Sequence, residues 1–179
     1  MKRLWIAFLI ALLIALVSAP QLLVHALAAS RNNTSGLKVE LAAEKAQPRQ
    51  VEDTTQEAIV RDYASAWKAL EQSLGNNGDS GLAANFAGTA LDQLQSRVDS
   101  QRKTGVRTRY VDRGHKLEAI FYSPEGSAMQ LHDTAQVEIQ TYDGNTLVSS
   151  QPATLHYVVL MTTAEDRWKV RLLEGVPGF

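Results

Sequence analysis

The sequence predicts an α+β fold in which N-terminal helices pack on a four-stranded antiparallel meander sheet. After residue 54, apolar residues recur at steps of three and four, which is the period of an amphipathic helix. After Gly105 the period changes to two, in four segments rich in Val, Ile, Thr and aromatic residues: 106–122, 128–142, 146–161 and 167–174. Turn-forming residues separate these segments, so strands that are consecutive in the chain should pair.

Length and composition limit the classes of function. At 179 residues the chain holds one domain of ordinary size plus an appendage. The formal net charge of −1 favours no strongly charged partner, and no nucleic acid is expected. The absence of cysteine excludes disulfides and thiolate chemistry, and leaves any metal site to His and carboxylate ligands.

Residues 1–29 are predicted to be a signal peptide or a membrane anchor. Lys2 and Arg3 precede a run without charge that continues to Ala29. Small residues at Ala26 and Ala28 have the spacing that a signal peptidase recognises. The run also exceeds the ~20 residues that span a bilayer, so it could remain as an uncleaved transmembrane helix. Both alternatives remain open, and both predict that the rest of the chain is extracytoplasmic.

Residues 30–53 are predicted to be a flexible spacer. The segment contains Asn32-Asn33-Thr34-Ser35-Gly36, scattered charges and Pro48, without a sustained apolar period. The folded domain is therefore expected to comprise residues 54–179.

A first helix is predicted to begin at Thr54, which has the spacing of a capping box with Glu57. We expect it to end at Gly75. Its apolar residues lie on one face: Ile59, Tyr63, Trp67, Leu70 and Leu74. Tyr63 is a candidate ligand contact, although an aromatic residue at helical spacing more often belongs to a core.

The loop before the second helix contains Gly78-Asp79-Ser80-Gly81, which matches the nucleophile loop of chymotrypsin-like proteases. Such an enzyme requires a His and an Asp on a longer, two-barrel fold, so we reject this interpretation. Ser80 is instead predicted to cap a short helix at residues 82–86.

A third helix is predicted to be capped by Thr89 and to end at Gly105. Leu91, Leu94 and Val98 form its narrow apolar stripe. Residues 97–116 carry seven basic residues against two acidic ones. This excess is typical of a solvated face, and could also meet an anionic partner.

The third strand is apolar on both faces. Leu155, Tyr157, Val159 and Met161 lie on one side, whereas Val158 and Leu160 lie on the other. Both sides therefore need cover. We predict that the second side, around His156, Val158 and Leu160, is an interface.

Several short segments resemble those of a known family. They are Ala66-Trp67-Lys68-Ala69-Leu70, Phe86-Ala87-Gly88 with Leu91, Gln95-Ser96-Arg97, Tyr110 and Trp168-Lys169-Val170. With the order of elements, they resemble the nuclear transport factor 2-like superfamily and, within it, the IMS-like domain of chloroplast-division proteins and their cyanobacterial relatives. The resemblance implies a cone-like fold. It also implies a superfamily of protein-binding modules, small-ligand binders and a minority of enzymes. The sequence lacks a strand pair between its first and third helices, which makes the enzymatic branches less expected.

No motif for phosphate, metal or cofactor binding occurs, so no catalytic residue, metal ligand or cofactor is assigned. Ionisable residues that could point into a cone are His115, His132, Asp133, His156, Tyr110 and Tyr157. The candidate ligand-binding set is Tyr63, Tyr110, His132, His156 and Tyr157. A two-residue turn at Asp143-Gly144 would pair residue 132 with 155 and place His132 and His156 on opposite faces. A β-bulge near Pro152 would bring them to one face.

Two functions follow from these observations. The favoured one is a non-catalytic, extracytoplasmic protein-interaction module whose partner is another protein or a second copy, so a homodimer is possible. The alternative is a small-ligand-binding protein or enzyme that uses a cone-shaped pocket. The interior of the cone-like fold distinguishes the two functions. A deep cavity with convergent polar groups would favour a ligand-binding protein or enzyme, and an interior filled by side chains would favour the interaction module.

Overall fold

A computed structural model describes residues 37–79 and 81–179 of the chain. In this part of the chain, helices pack against one mixed sheet, which confirms the predicted α+β class. The elements in order are β1 (Val39–Ala42), β2 (Gln47–Pro48), α1 (Asp53–Asn76), α2 (Leu82–Asn85), α3 (Gly88–Thr104), β3 (Val106–Tyr122), β4 (Ala128–Asp143), β5 (Thr146–Ala164) and β6 (Arg167–Val176).

The long strands β3 to β6 form the predicted antiparallel meander. The sheet nevertheless has six strands rather than four, with the order β1-β3-β4-β5-β6 and β2 also paired with β3. Both β1 and β2 run parallel to β3. The prediction of four strands, all antiparallel, is therefore corrected.

The two short strands also correct the predicted spacer. Residues 39–42 and 47–48 belong to the sheet, and Val39 and Leu41 pack against the core. Ala43, Ala46 and Val51 are buried. Strands of four and two residues carry too little periodicity to be recognised in isolation, and their partner lies about 75 residues away. Residues 30–36 lie outside the described part.

The first helix begins at Asp53, one residue before the prediction, and Glu52 is its N-cap without a side-chain capping bond. The predicted capping box of Thr54 and Glu57 is therefore wrong. The helix continues past Gly75 to Asn76, and Asn77 adopts the left-handed conformation that ends it (φ +53°). Its predicted apolar face is buried, including Tyr63 and Trp67.

The third helix has Ala87 as its N-cap, and no side chain caps it, so the predicted cap at Thr89 is wrong. Gly105 ends it at φ +74°, as predicted. The buried residues of α3 include Leu94 and Val98, whereas Leu91 is half-buried. The short helix α2 ends at Asn85, and Ser80, its predicted cap, lies outside the described residues.

Helices cover one face of the sheet, called here the inner face. Alternate residues of β4, from Met129 to Val137, are buried beneath them. In the described part of the chain no second layer covers the opposite, outer face. A site could therefore lie beneath the helices or on the outer face.

Among residues 37–79 and 81–179, no helix is long and apolar enough to cross a membrane. The predicted signal peptide or anchor, residues 1–29, lies outside the described residues.

Candidate functional site

The inner face buries a histidine between two carboxylates. The Nδ1 atom of His115 lies 2.8 Å from Oδ2 of Asp133, and its Nε2 atom lies 2.6 Å from Oδ2 of Asp112. The Tyr63 hydroxyl of α1 also donates to Asp133 Oδ2 at 2.7 Å. The side chains of His115 and Asp133 are fully buried. This cluster joins α1 to β3 and β4, and its charged groups are buried away from solvent.

The two carboxylates decide the protonation of the histidine. Burial opposes the charged imidazolium, but the hydrogen bonds to Asp112 and Asp133 outweigh burial and raise the pKa of His115 to about 9. At neutral pH the ring is therefore a cation that donates from both nitrogens. Burial, together with the negative charge of Asp133, raises the pKa of Tyr63 well above its ordinary value, so this hydroxyl remains a donor.

A cavity of about 320 Å³ lies beside this cluster, between the helices and the inner face. Its apolar wall is formed by Trp67, Leu70, Leu74, Ala90, Leu94 and Leu173, with Gly175 on β6. Its polar groups come from Gln93, Arg97, Tyr110 and Tyr157. The interior is thus partly filled by side chains and partly open, and four polar residues line the open part.

Trp67 separates the cavity from the buried charges. Its ring centroid lies 4.4 Å from that of His115 and 5.7 Å from that of Tyr157. Tyr110 lies edge-on to the same indole at 6.4 Å. His115 is not part of the cavity wall, so the histidine cluster lies behind Trp67 and supports the wall.

The outer face carries rows of residues that are aligned across four strands. Phe121, Gln130, Leu160 and Leu172 form one row, and Glu118, His132, Val158 and Glu174 form the next. Leu160, Val158 and Leu172 are half-buried, whereas Phe121 is 38% exposed. This face therefore presents an apolar patch on β3, β5 and β6, bordered by charged residues.

The two candidate histidines lie together on this outer face, contrary to the predicted register. His132 pairs with Val158, and His156 pairs with Thr134. The Phe179 ring stacks on His132 at 3.9 Å between centroids and lies edge-on to His156 at 5.4 Å. The described residues contain no group of three or more potential metal ligands.

A bulge accounts for this register. The turn consists of Gly144 and Asn145, since Asp143 pairs with Thr146. Tyr142 then pairs with Leu147 and Thr141 with Ser149, which leaves Val148 as an extra residue. One extra residue reverses the faces of every side chain beyond it. The bulge thus lies at Val148 rather than near Pro152, and it brings both histidines to one face.

The structure divides the predicted ligand-binding set between two places. Tyr110 and Tyr157 line the cavity, and Tyr63 lies beside it in the charge cluster. His132 and His156 lie on the outer face with the predicted interface residues Val158 and Leu160. The five residues therefore do not form one site.

Arg97 lies at the cavity, although the sequence predicted it only as one of the basic residues of 97–116. Its Nη2 atom donates to the Tyr110 hydroxyl at 2.9 Å, at the cavity. Other members of this run are engaged elsewhere: Arg113 pairs with Glu138, and Arg102 pairs with Asp99. The local excess of positive charge is thus spread over different surfaces.

Neither the protein-family models nor the curated proteins include a match to this chain. Among solved structures, the chain is similar to the intermembrane-space region of the chloroplast protein ARC6, with a TM-score of 0.60 and 15% sequence identity. The similarity covers 72% of this chain and 98% of that one. It supports the resemblance to the IMS-like domain at the level of the fold.

Proposed function

We propose that this protein is a non-catalytic, extracytoplasmic protein-interaction module that binds through the outer face of its sheet. The observation that carries the proposal is the apolar patch of Phe121, Val158, Leu160 and Leu172, over which the described residues place no second layer. Burial of one Val or Leu side chain stabilises a complex by about 1.5–3 kcal/mol. Val158, Leu160 and Leu172 are already half-buried, so a protein partner or a second copy that covered this patch would gain only a part of this free energy from each.

The charged border of the patch supports a protein partner. Glu118 pairs with Lys45 beside it, and Glu174 lies in the same row on β6. An apolar centre with a polar, solvent-accessible rim is the usual arrangement of a protein interface. The fold neighbour is an intermembrane-space region, and this supports a domain that works outside the cytoplasm.

The outer face can be tested by changing Val158→Thr and Leu160→Gln together. We expect at least a tenfold loss of association, since tenfold corresponds to about 1.4 kcal/mol. Because both side chains lie outside the core, the free energy of unfolding should change by less than about 1 kcal/mol. Sedimentation velocity measures self-association, and a photocrosslinker at position 158 in native membranes detects another partner.

Val159→Thr is the matched control, because Val159 lies between these two residues and is fully buried on the inner face. This change should destabilise the fold without acting on the interface. The proposal fails if the double variant unfolds the domain, or if the parent neither self-associates nor forms a crosslinked complex.

We further propose that residues 1–29 export the chain or anchor it, with the domain outside the cytoplasm. The support is the uncharged run from Leu4 to Ala29 behind Lys2 and Arg3. We expect membrane or extracytoplasmic fractions to contain the protein. N-terminal sequencing should find either the intact start or a new one near Ala29. Recovery of the intact chain in the soluble cytoplasmic fraction would contradict both forms.

A further inference from the structure

We propose that the cavity on the inner face binds a small aromatic monocarboxylate, with the carboxylate held by Arg97 and the ring held among Trp67, Tyr110 and Tyr157. This site is separate from the proposed interaction face, because the sheet itself lies between them. The proposal goes beyond the proposed function and does not depend on it.

The size and the wall of the cavity define the body of the ligand. Its volume of about 320 Å³ is at the lower end of the range for small-molecule sites, about 300–1,000 Å³. A single ring with a short side chain suits this size. Three aromatic rings contribute to the wall, and the indole of Trp67 lies edge-on to both tyrosine rings. An aromatic ligand can add offset or edge-to-face contacts of the same kind.

The charge of the wall defines the polar group of the ligand. Arg97 contributes a guanidinium, and no Asp or Glu lines the cavity. Among the described residues Arg97 forms no ion pair with a carboxylate, and its side chain donates a hydrogen bond to the Tyr110 hydroxyl. A guanidinium carries five N–H donors, so several remain for a ligand. A carboxylate matches this planar arrangement and can accept two bonds from it.

The position of Arg97 sets the orientation of the ligand. Arg97 and Gln93 are the solvent-exposed residues of the wall on α3, whereas Trp67, Leu74 and Ala90 are buried. The carboxylate would therefore remain near solvent while the ring enters the apolar part. This orientation avoids the cost of burying an unpaired charge.

Three compounds of nearly equal shape test the proposal: 3-phenylpropionate, 3-phenylpropan-1-ol and 3-phenylpropylamine. Calorimetric titration of the full chain, with the heat of dilution of each compound subtracted, measures the affinity for each. We expect the acid to bind about tenfold more tightly than the alcohol and the amine to bind most weakly. Arg97→Gln should remove the preference for the acid while leaving the affinity for the alcohol within about threefold.

Two further variants distinguish binding in the cavity from non-specific attraction of the acid by the positive charge of α3. Lys103→Gln removes one positive charge from the exposed end of α3, outside the cavity wall, and should leave the preference unchanged. Gly175→Val should lower the affinity for the acid and for the alcohol to the same extent. A Cβ atom at this position has an ordinary contact with Tyr157, so the added methyl groups would occupy the cavity.

The proposal is wrong if none of the three compounds binds the parent, or if the alcohol binds as tightly as the acid. It is also wrong if Lys103→Gln abolishes the preference to the same extent as Arg97→Gln. Retention of parental affinity for the acid by Gly175→Val would place the compound elsewhere and would equally overturn it.

Discussion

Asp133→Ala is expected to lower the free energy of unfolding by about 3–5 kcal/mol, which is the typical cost of removing one partner from a buried ion pair. Asp133 Oδ2 accepts from His115 and from the Tyr63 hydroxyl, and both carboxylate oxygens lie away from solvent. The change would leave the His115 imidazolium with a single carboxylate and would leave the buried Tyr63 hydroxyl without its acceptor. Urea unfolding followed by circular dichroism measures the loss.

Two variants serve as references for the loss of unfolding free energy. Tyr63→Phe removes one hydrogen bond and no charge, so we expect a loss of about 1–2 kcal/mol. Asp99→Ala breaks the exposed pair with Arg102 on α3 and should cost less than about 1 kcal/mol. If Asp133→Ala costs no more than Asp99→Ala, the buried cluster does not hold a charge.

The stability of the domain is expected to fall as the pH rises through about 9. The pKa of His115 is raised from its ordinary value of 6.5 to about 9 in the folded protein. The folded state therefore retains a proton that the unfolded chain releases near pH 6.5. The stabilising contribution is complete below about pH 6.5, decreases as the pH rises towards 9, and is lost once the pH has passed the folded pKa.

The size of this effect follows from the two pKa values. Each unit between them corresponds to about 1.4 kcal/mol, so the upper limit is about 3–4 kcal/mol. The measurement compares urea unfolding at pH 6 and pH 10 for the parent and for His115→Gln. All other ionisable groups are common to the two proteins, so the difference between their pH dependences isolates His115. Identical pH dependence in the two proteins would show that His115 is not charged in the folded state.

Local patterns in the sequence were sufficient to predict the long helices and strands. The prediction of β3 as residues 106–122 agrees with the structure at both ends. Gly105 ends α3 in the left-handed conformation, as its residue type indicated. These features depend on neighbours within a few residues, through turn chemistry and side-chain alternation, and the sequence carries that information directly.

The parts of the site that were not predicted depend on contacts between distant segments. The pairing of His115 with Asp133 requires β3 and β4 to pair in one register, and the addition of Tyr63 requires α1 to cross the same strands. In the sequence, Arg97 is one member of a basic run. In the structure, α3 packs near β3, and Arg97 therefore lies beside Tyr110. Neither relation leaves a periodic signal in the sequence.

The α+β class, the four long strands and the buried face of α1 could be predicted from the sequence, because each of these depends on local periodicity. The face that each histidine occupies and the pairing of β1 with the sheet depend on contacts between distant segments, and only the folded structure shows them. The extra residue at Val148 reverses the facing of the paired strand beyond it, and an insertion of this kind has no period of its own. Four residues of β1 become a strand because the edge of β3 offers hydrogen bonds and the core accepts Leu41. Both outcomes depend on the partner strand rather than on the local sequence.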